Sequence, residues 1–303
     1  MYELITVGSI SVDLYFKGKS LTYKNERFQL AIGGKYSADF FYQGIGGGAV
    51  NVAIGASRFG LKAAILGTIG ENIFKNAIIK KLKENNITYN LCDFVANYYN
   101  ISSIFLAPNG ERTVIHYTTF NQKLFDHGIK ISDIKKAQII YLGNTPDISL
   151  VEKIKLLNFS KKHNLLTVLN LGKKDCQLKK KDLIELFQAT DILILNGHEF
   201  ADLVKAAYKD IFFNENVIDH YIPQLTEKLV VVTEGKKGSF AYFKNKIFYQ
   251  KAKKIETVVD TTGCGDAYTA AFIATYFKTA DIEKSMEKGA FYATKILGQI
   301  GAN

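Results

Sequence analysis

The amino-acid sequence predicts an α/β fold: a parallel sheet with helices on both faces and a second, smaller sheet beside it. Three observations carry this. From Ile139 onward short apolar runs alternate with amphipathic segments, as strand Ile139 to Leu142, helix Ser149 to His163, strand Leu165 to Leu169, helix Lys181 to Gln188 and strand Ile192 to Leu195. That alternation is what βα units produce when their strands are covered on both faces. Two strand-rich islands, at about 10–43 and 95–119, precede it and are best joined as one small sheet lying over an active site. Finally, 303 residues with 47% hydrophobic content and only 3 prolines suffice for one large domain with an appendage.

Taken in order, Leu4 to Gly8 is an apolar run, and Ser9 to Phe16 continues it with Asp13 where the strand should leave the sheet. Ligands of α/β proteins gather at strand ends, so Asp13 is a candidate for a polyol hydroxyl, with a turn residue as the equal alternative. Phe28 to Ile32 and Lys35 to Gln43 read as strands joined at Gly33-Gly34, the second aromatic on both faces and therefore expected to be covered on both sides. Gly44-Ile45-Gly46-Gly47-Gly48-Ala49-Val50-Asn51 then leads into a helix that ends near Phe59, with Gly60 as its cap. The Gly44, Gly46, Ala49 spacing matches a dinucleotide fingerprint. The strand Ala63 to Leu66 ends in Gly67 without an acidic residue for a ribose, which argues against that reading. Small residues here let a ligand or a neighbouring backbone approach, and Asn51 offers a donor and an acceptor together.

Leu61 to Glu71 gives a strand and turn, Ile73 to Glu84 an amphipathic helix and Ile87 to Phe94 an extended segment. Asn100 to Ala107 and Arg112 to Tyr117 flank Pro108-Asn109-Gly110-Glu111, a strong hairpin turn. In the second half two strand exits are polar: Asn170, and Asn196-Gly197-His198-Glu199. Asn196 and Glu199 share a face of the first helical turn, which suits water-coordinated Mg²⁺ or nucleotide phosphates; a capping box is the competing account. Leu229 to Thr233 is a buried strand, followed by Gly235 and Gly238 in a turn and a hairpin through Lys246 to Gln250.

The stretch with most chemistry is Asp260-Thr261-Thr262-Gly263-Cys264-Gly265-Asp266, between a strand expected at Ile255 to Val259 and a helix at Ala267 to Lys278. A glycine-rich junction at a helix start presents unpaired N–H groups and the positive end of the helix dipole, a place for an anion. Asp266 at its mouth can accept a proton from a hydroxyl about to attack phosphorus. An N-cap after a tight turn is the plainer reading of the same residues.

Composition bounds the alternatives. The 39 basic against 29 acidic residues give +10, but the lysines come in short scattered runs without an arginine-rich or aromatic-interleaved stripe, so solvated faces account for them better than nucleic acid does. Three widely spaced cysteines, Cys92, Cys176 and Cys264, suggest neither a disulfide framework nor a zinc site and fit a reducing compartment. Met1 to Phe16 reads as a strand rather than a signal peptide, no apolar span has membrane length, and a cytoplasmic location is expected.

Together the motifs resemble the ribokinase-like (PfkB) carbohydrate kinase family from Gly8 to Gly301. The resemblance rests on Gly8 to Asp13, on Gly46 and Gly47 with Asn51, on Asn196 with Glu199, on Thr233 with Gly235, and on Asp260 to Asp266. It implies a three-layer αβα sandwich with a mostly parallel central sheet, a β-sheet lid and a single domain over 1–303. It implies ATP as donor and Mg²⁺ as cofactor, with Asp266 as base and Gly263, Cys264 and Gly265 as the anion hole. Asn196 and Glu199 would organise the phosphates and Mg²⁺, Glu199 through water; Thr233, Gly235 and Gly238 would belong to the nucleotide site. Asp13, Gly46, Gly47 and Asn51 would hold the sugar, and Asp260 would brace the anion-hole loop beside a monovalent cation. A homodimer through the lid is a further implication. Two departures stand out: Cys264 replaces the usual Ala, and Asn170-Leu171-Gly172 stands where many members carry Asp-x-Asn.

The expected activity is therefore ATP-dependent phosphorylation of a hydroxyl on a sugar or sugar-like molecule. A nucleoside kinase is the alternative within the same chemistry, and a non-catalytic sugar or nucleotide sensor the alternative outside it.

Overall fold

Short runs of β-branched and leucine side chains form strands buried on both faces, and their odd and even residues separate into two cores. Ile5 and Val7 join Ile140, Leu142, Leu157 and Phe187 on one side. Leu4 joins Tyr141, Val168, Ala270 and Phe272 on the other. The computed structural model describes residues 2–25, 27–107, 109–120 and 131–303.

Among these, nine strands make the central sheet in the order Lys246–Gln250, Ser239–Phe243, Leu229–Thr233, Ile192–Asn196, Leu166–Leu169, Ile139–Leu142, Leu4–Val7, Ala63–Glu71, Thr88–Ala96. All neighbours run parallel except at the hairpin that closes one edge, Leu229–Thr233 with Ser239–Phe243 and Ser239–Phe243 with Lys246–Gln250. The helices Leu150–Lys162, Lys180–Gln188 and Gly197–Val204 feed the first core; Cys264–Thr279 and Ile282–Leu297 feed the second. This is a three-layer α/β sandwich, as expected.

A separate four-stranded sheet has the order Phe40–Gly46, Ser11–Lys17, Asn100–Leu106, Arg112–Thr118. It joins the two predicted strand-rich islands. Its second strand follows Leu4–Val7 after three residues, so the chain passes directly from the large sheet to the small one.

Four local expectations need correction. The segment 29–39 carries no strand: only Arg27–Phe28 pairs, with Tyr23–Lys24, while the second strand begins at Phe40 and runs on to Gly46. Nor is that strand covered on both sides, since Phe41 is 56% exposed and Ile32 before it is wholly exposed. Ile255 to Val259 is not a strand: it bends at Glu256, and the Val259 and Asp260 N–H groups both go to the Leu297 carbonyl rather than to a ladder. Asp13 sits in mid-strand rather than at an exit. Met1 and Pro108 of the predicted elements lie outside the described residues.

Candidate active site

The helix Cys264–Thr279 starts at Gly263, whose φ of 75° is left-handed backbone and where a Cβ would stand 2.0 Å from the Ala302 Cβ. Only glycine fits there. Gly265 is exposed, with no atom within 4 Å of where its Cβ would be. A phosphoryl group can therefore reach the first-turn N–H groups, which have no partner inside the helix.

Asp266 lies on that first turn, and its Oδ2 accepts a hydrogen bond of 2.8 Å from Asn51 Nδ2. The contact is set by packing one turn further along. Gly55 and Ala270 are four residues beyond Asn51 and Asp266, on the same helix faces, and a Cβ on Gly55 would stand only 2.5 Å from that of Ala270. The glycine lets the helices Gly48–Arg58 and Cys264–Thr279 approach closely enough for the amide to reach the carboxylate. Asp266 Oδ1 is turned toward the backbone of Gly48.

Burial pushes the Asp266 carboxyl from an ordinary 3.8 up to about 6; the Asn51 bond opposes this, the Asp13 charge adds to it and the Arg112 guanidinium opposes it. The residue keeps partial exposure, so an acceptor can still reach it. A carboxylate still ionised at neutral pH, yet more basic than usual, is suited to proton abstraction.

Asp13 is buried, 6% exposed, and accepts from Ser11 Oγ at 2.9 Å. Burial raises its pKa too, against the Ser11 and Ser102 bonds and the His116 charge. Gly46 pairs with Ser11 across the ladder, and a Cβ on it would fall 2.1 Å from Asp13 Oδ2. Gly47, at φ 93°, lies under the Ser9 carbonyl, which a Cβ would meet at 2.3 Å. Beside them a cleft opens between the two sheets, lined by Gly8, Ser9, Asn100, His116, Asn144 and Thr145. It connects to Asp13 through Ser102, whose Oγ is 3.1 Å from His116 Nδ1. Asn100 Oδ1 and Thr145 Oγ1 are buried there without a hydrogen-bond partner.

At the helix start itself, Thr233, Gly235, Gly238, Cys264 and Gly265 line a second cleft of about 400 Å³, closed by apolar side chains of Ile282–Leu297. That volume is within the range of small-molecule sites. Asp260, fully buried, accepts from Thr262 N at 2.8 Å and Thr262 Oγ1 at 2.6 Å on one oxygen and from Gly301 N at 3.0 Å on the other. It ties the glycine loop to the segment behind it. Burial pushes the Cys264 thiol up to about 12, so it is neutral at physiological pH.

Asn196 and Glu199 form the capping box, with both reciprocal bonds at 2.9 Å. They line a different depression, with His198 and Tyr208, although Asn196 is the ladder partner of Thr233. Burial raises the Glu199 pKa and the Asp266 charge adds to it, so the two carboxylates sense each other.

Two contacts of the site could not be placed by sequence. Arg112 donates from Nη1 to Thr261 Oγ1, which brings a cation from the small sheet onto the glycine loop. The hairpin tip rests on the same loop, since a Cβ on Gly110 would meet the Val258 carbonyl at 2.9 Å. The turn before Arg112 was readable, but a contact over 149 positions has no local pattern. Asn303 reaches Asn51, a contact over 252 positions, and nothing in its surroundings marks it.

A three-layer body, a second sheet over the strand ends and a glycine-initiated helix bordering a cleft are the frame of a small-molecule kinase. The chain belongs to the pfkB family of carbohydrate kinases, whose family model matches residues 1–303. It is 26% identical over 311 residues to a nucleoside kinase of Methanocaldococcus jannaschii, covering 98% of this chain and 91% of that protein. It is 25% identical over 300 residues to a deoxyribokinase of Salmonella typhi, covering 96% and 91%. The same fold is seen in the Arabidopsis thaliana ribokinase solved with ribose and ATP, at TM-score 0.80 and 22% identity over 99% of this chain and 94% of that one. The protein is a phosphotransferase acting on sugar hydroxyls, in a family that uses ATP. Among the described residues no helix is long and apolar enough to cross a membrane.

Proposed function

We propose that this protein transfers the γ-phosphoryl group of ATP to a hydroxyl, a primary alcohol, of an acceptor that carries no phosphate of its own. The observation behind this is the Asn51–Asp266 bond at a helix start whose Cys264 and Gly265 line a cleft. Asn51 occupies Oδ2, and Oδ1 is left to take the proton of the acceptor hydroxyl as its oxygen attacks phosphorus. The backbone N–H groups of Gly263, Cys264 and Gly265 hold the transferring phosphoryl group. Thr233, Gly235 and Gly238 border the nucleotide, with Asn196 and Glu199 at the phosphates.

Asp13, Gly46, Gly47 and Asn51 hold the acceptor, and its far end enters the cleft at Asn100, His116 and Thr145. Asp147 is the only carboxylate on that cleft's wall, and no lysine or arginine lines it among the described residues. Asp147 is itself paired with Lys174 at 3.3 Å, so the wall suits a sugar or nucleoside and offers a phosphate ester no lysine or arginine of its own. We read residues 1–303 as one domain whose segments at about 10–43 and 95–119 form a lid. Exposed Phe41, Ile115 and Tyr117 on the lid's outer strands support a homodimer through it, with a second copy as the occupant.

Glu199 fits Mg²⁺ bound through water, being a partly desolvated carboxylate close enough to Asp266 to feel its charge. When bound with the nucleotide, Mg²⁺ supplies neutralisation of phosphate charge. A monovalent cation fits less well, because both Asp260 oxygens are already committed to Thr262 and Gly301. No step is assigned to it.

The test is ADP release with a panel of unphosphorylated sugars, nucleosides and sugar phosphates. Turnover is expected with an uncharged acceptor and is expected to fall by orders of magnitude in Asp266→Asn, with ligand binding kept. Turnover with phosphorylated acceptors alone would overturn the acceptor class, a near-normal rate in Asp266→Asn would overturn the base, and binding without ADP release for any acceptor would make the protein a sensor. A single monomeric species in sedimentation would remove the dimer.

A further inference from the structure

Asn303 lies far from both clefts in sequence yet ends a chain of amides that starts at the proposed base. Its Nδ2 is 2.9 Å from the Ile45 carbonyl oxygen and 2.8 Å from Asn51 Oδ1, and Asn51 Nδ2 is 2.8 Å from Asp266 Oδ2. Both ends of this chain are obligate acceptors, a main-chain carbonyl and a carboxylate, and that fixes its polarity. Asn303 must present its NH₂ group to Ile45, and the second proton of that group then has Asn51 Oδ1 as its acceptor. Asn51 is thereby left with its own NH₂ group facing Asp266. Were the Asn51 amide turned over, its carbonyl oxygen would face the carboxylate and oppose ionisation. Lys81 Nζ donates to the Asn303 main-chain oxygen at 3.4 Å, and the backbone of Gly301, two residues earlier, is tied to Asp260. Asn303 is thus held from three directions.

We infer that Asn303 is a positioning residue for the base, acting through Asn51 to keep a hydrogen-bond donor on Asp266. This rests on the reading of Asp266 as base. It goes beyond that reading by assigning a role to a side chain that touches neither substrate nor nucleotide.

The consequence is a pH dependence. The charged and titratable groups around Asp266 are Asp13 and Arg112 from the small sheet, Glu199 from Gly197–Val204, Tyr141 from the central sheet and Cys264 on its own helix. Tyr141 and Cys264 have pKa values raised by burial and are neutral below pH 8, and the hydrogen bonds of Asn303 go to Ile45, Asn51 and Lys81 rather than to any of the five. Removing the Asn303 donor takes away the bond that fixes the Asn51 amide and so weakens the interaction that lowers the Asp266 pKa. The carboxylate then holds its proton to higher pH, and the acid limb of kcat/KM moves up.

The experiment is the pH profile of kcat/KM for the full chain and for Asn303→Leu, which keeps the bulk but has no donor. The expected result is a rate about 10-fold below the parent at pH 6, closing to within about 3-fold at pH 8, with ATP binding unchanged. Asn303→Ala gives the same displacement of the limb, so a fold disturbed by the leucine does not end the test. A purely structural role predicts a lower melting temperature with the limb in place, and that outcome in soluble Asn303→Leu or Asn303→Ala overturns the inference. Failure of the underlying reading shows separately, as turnover retained by Asp266→Asn.

Discussion

Asp266→Asn should make the protein more stable while it loses turnover, and only above a certain pH. The folded state holds the Asp266 proton up to about pH 6, whereas the unfolded chain releases it near 3.8. Between those values the folded state binds more protons than the unfolded one, so stability falls as pH rises through the window and stays lower above it. The difference between about 6 and 3.8, at about 1.36 kcal/mol per pH unit, is a ceiling of about 3 kcal/mol at neutral pH. Partial exposure of the residue discounts this to about 1–3 kcal/mol, or roughly 2–6 °C in melting temperature for a chain of this size. Asparagine keeps the shape and can turn its oxygen toward Asn51 Nδ2, so the change removes charge and little else. Melting curves of parent and variant at pH 4, 6 and 8 are the assay: coincidence at pH 4 and a widening gain toward pH 8 are expected. A loss of stability, or a gain equal at all three values, would refute the account of Asp266 as a carboxylate kept charged against its surroundings.

Other substitutions probe the groups around it. Arg112→Ala should lower kcat by about 100-fold or more with little change in ATP affinity, since a cation over the glycine loop acts mainly on charge developing during transfer. It should also raise the acid limb, because the guanidinium holds the Asp266 pKa down; steady-state kinetics with an unmoved limb and a parental kcat would exclude Arg112 from the site. Gly55→Ala places a methyl 2.5 Å from the Ala270 Cβ, which forces the two helices apart at a cost of about 1–3 kcal/mol. The Asn51–Asp266 bond lengthens with them, and kcat is expected to fall at least 10-fold; parental melting temperature and kcat together would show that the contact does not set the site.

The alternation of strands and helices was legible because buried parallel strands are apolar without interruption, and Leu229–Thr233 or Ile192–Asn196 have no other environment to suit. The failures came where composition and hydrogen bonding part company. Ile255 to Val259 has the side chains of a strand, but its last N–H shares the Leu297 carbonyl with that of Asp260, so no ladder can form. Tyr36, Phe40 and Phe41 read as a strand covered on both sides, yet they are only partly covered and remain 37%, 38% and 56% exposed, because aromatic content reports what a surface can bury and not what lies against it. At the site, Asp260, Gly263 and Asp266 were readable from their spacing, which reflects one turn of backbone. Arg112 and Asn303 were not, since each reaches its partner only when separate elements meet, and Gly55 gave no hint that it sets the distance between two side chains a turn away.

Asp13 and Gly46 belong to strands of the small sheet, whereas Asp266 and Asn51 belong to helices of the large body, joined to it by the three residues between Val7 and Ser11 and by Gly47 between Gly46 and Gly48. In the reaction proposed above, the groups that grip the acceptor and the group that deprotonates it would thus be mounted on different pieces. A tilt of the small sheet against the body would carry the acceptor relative to its base and Arg112 relative to the glycine loop in one movement, so a nucleotide bound without an acceptor would meet an incomplete site.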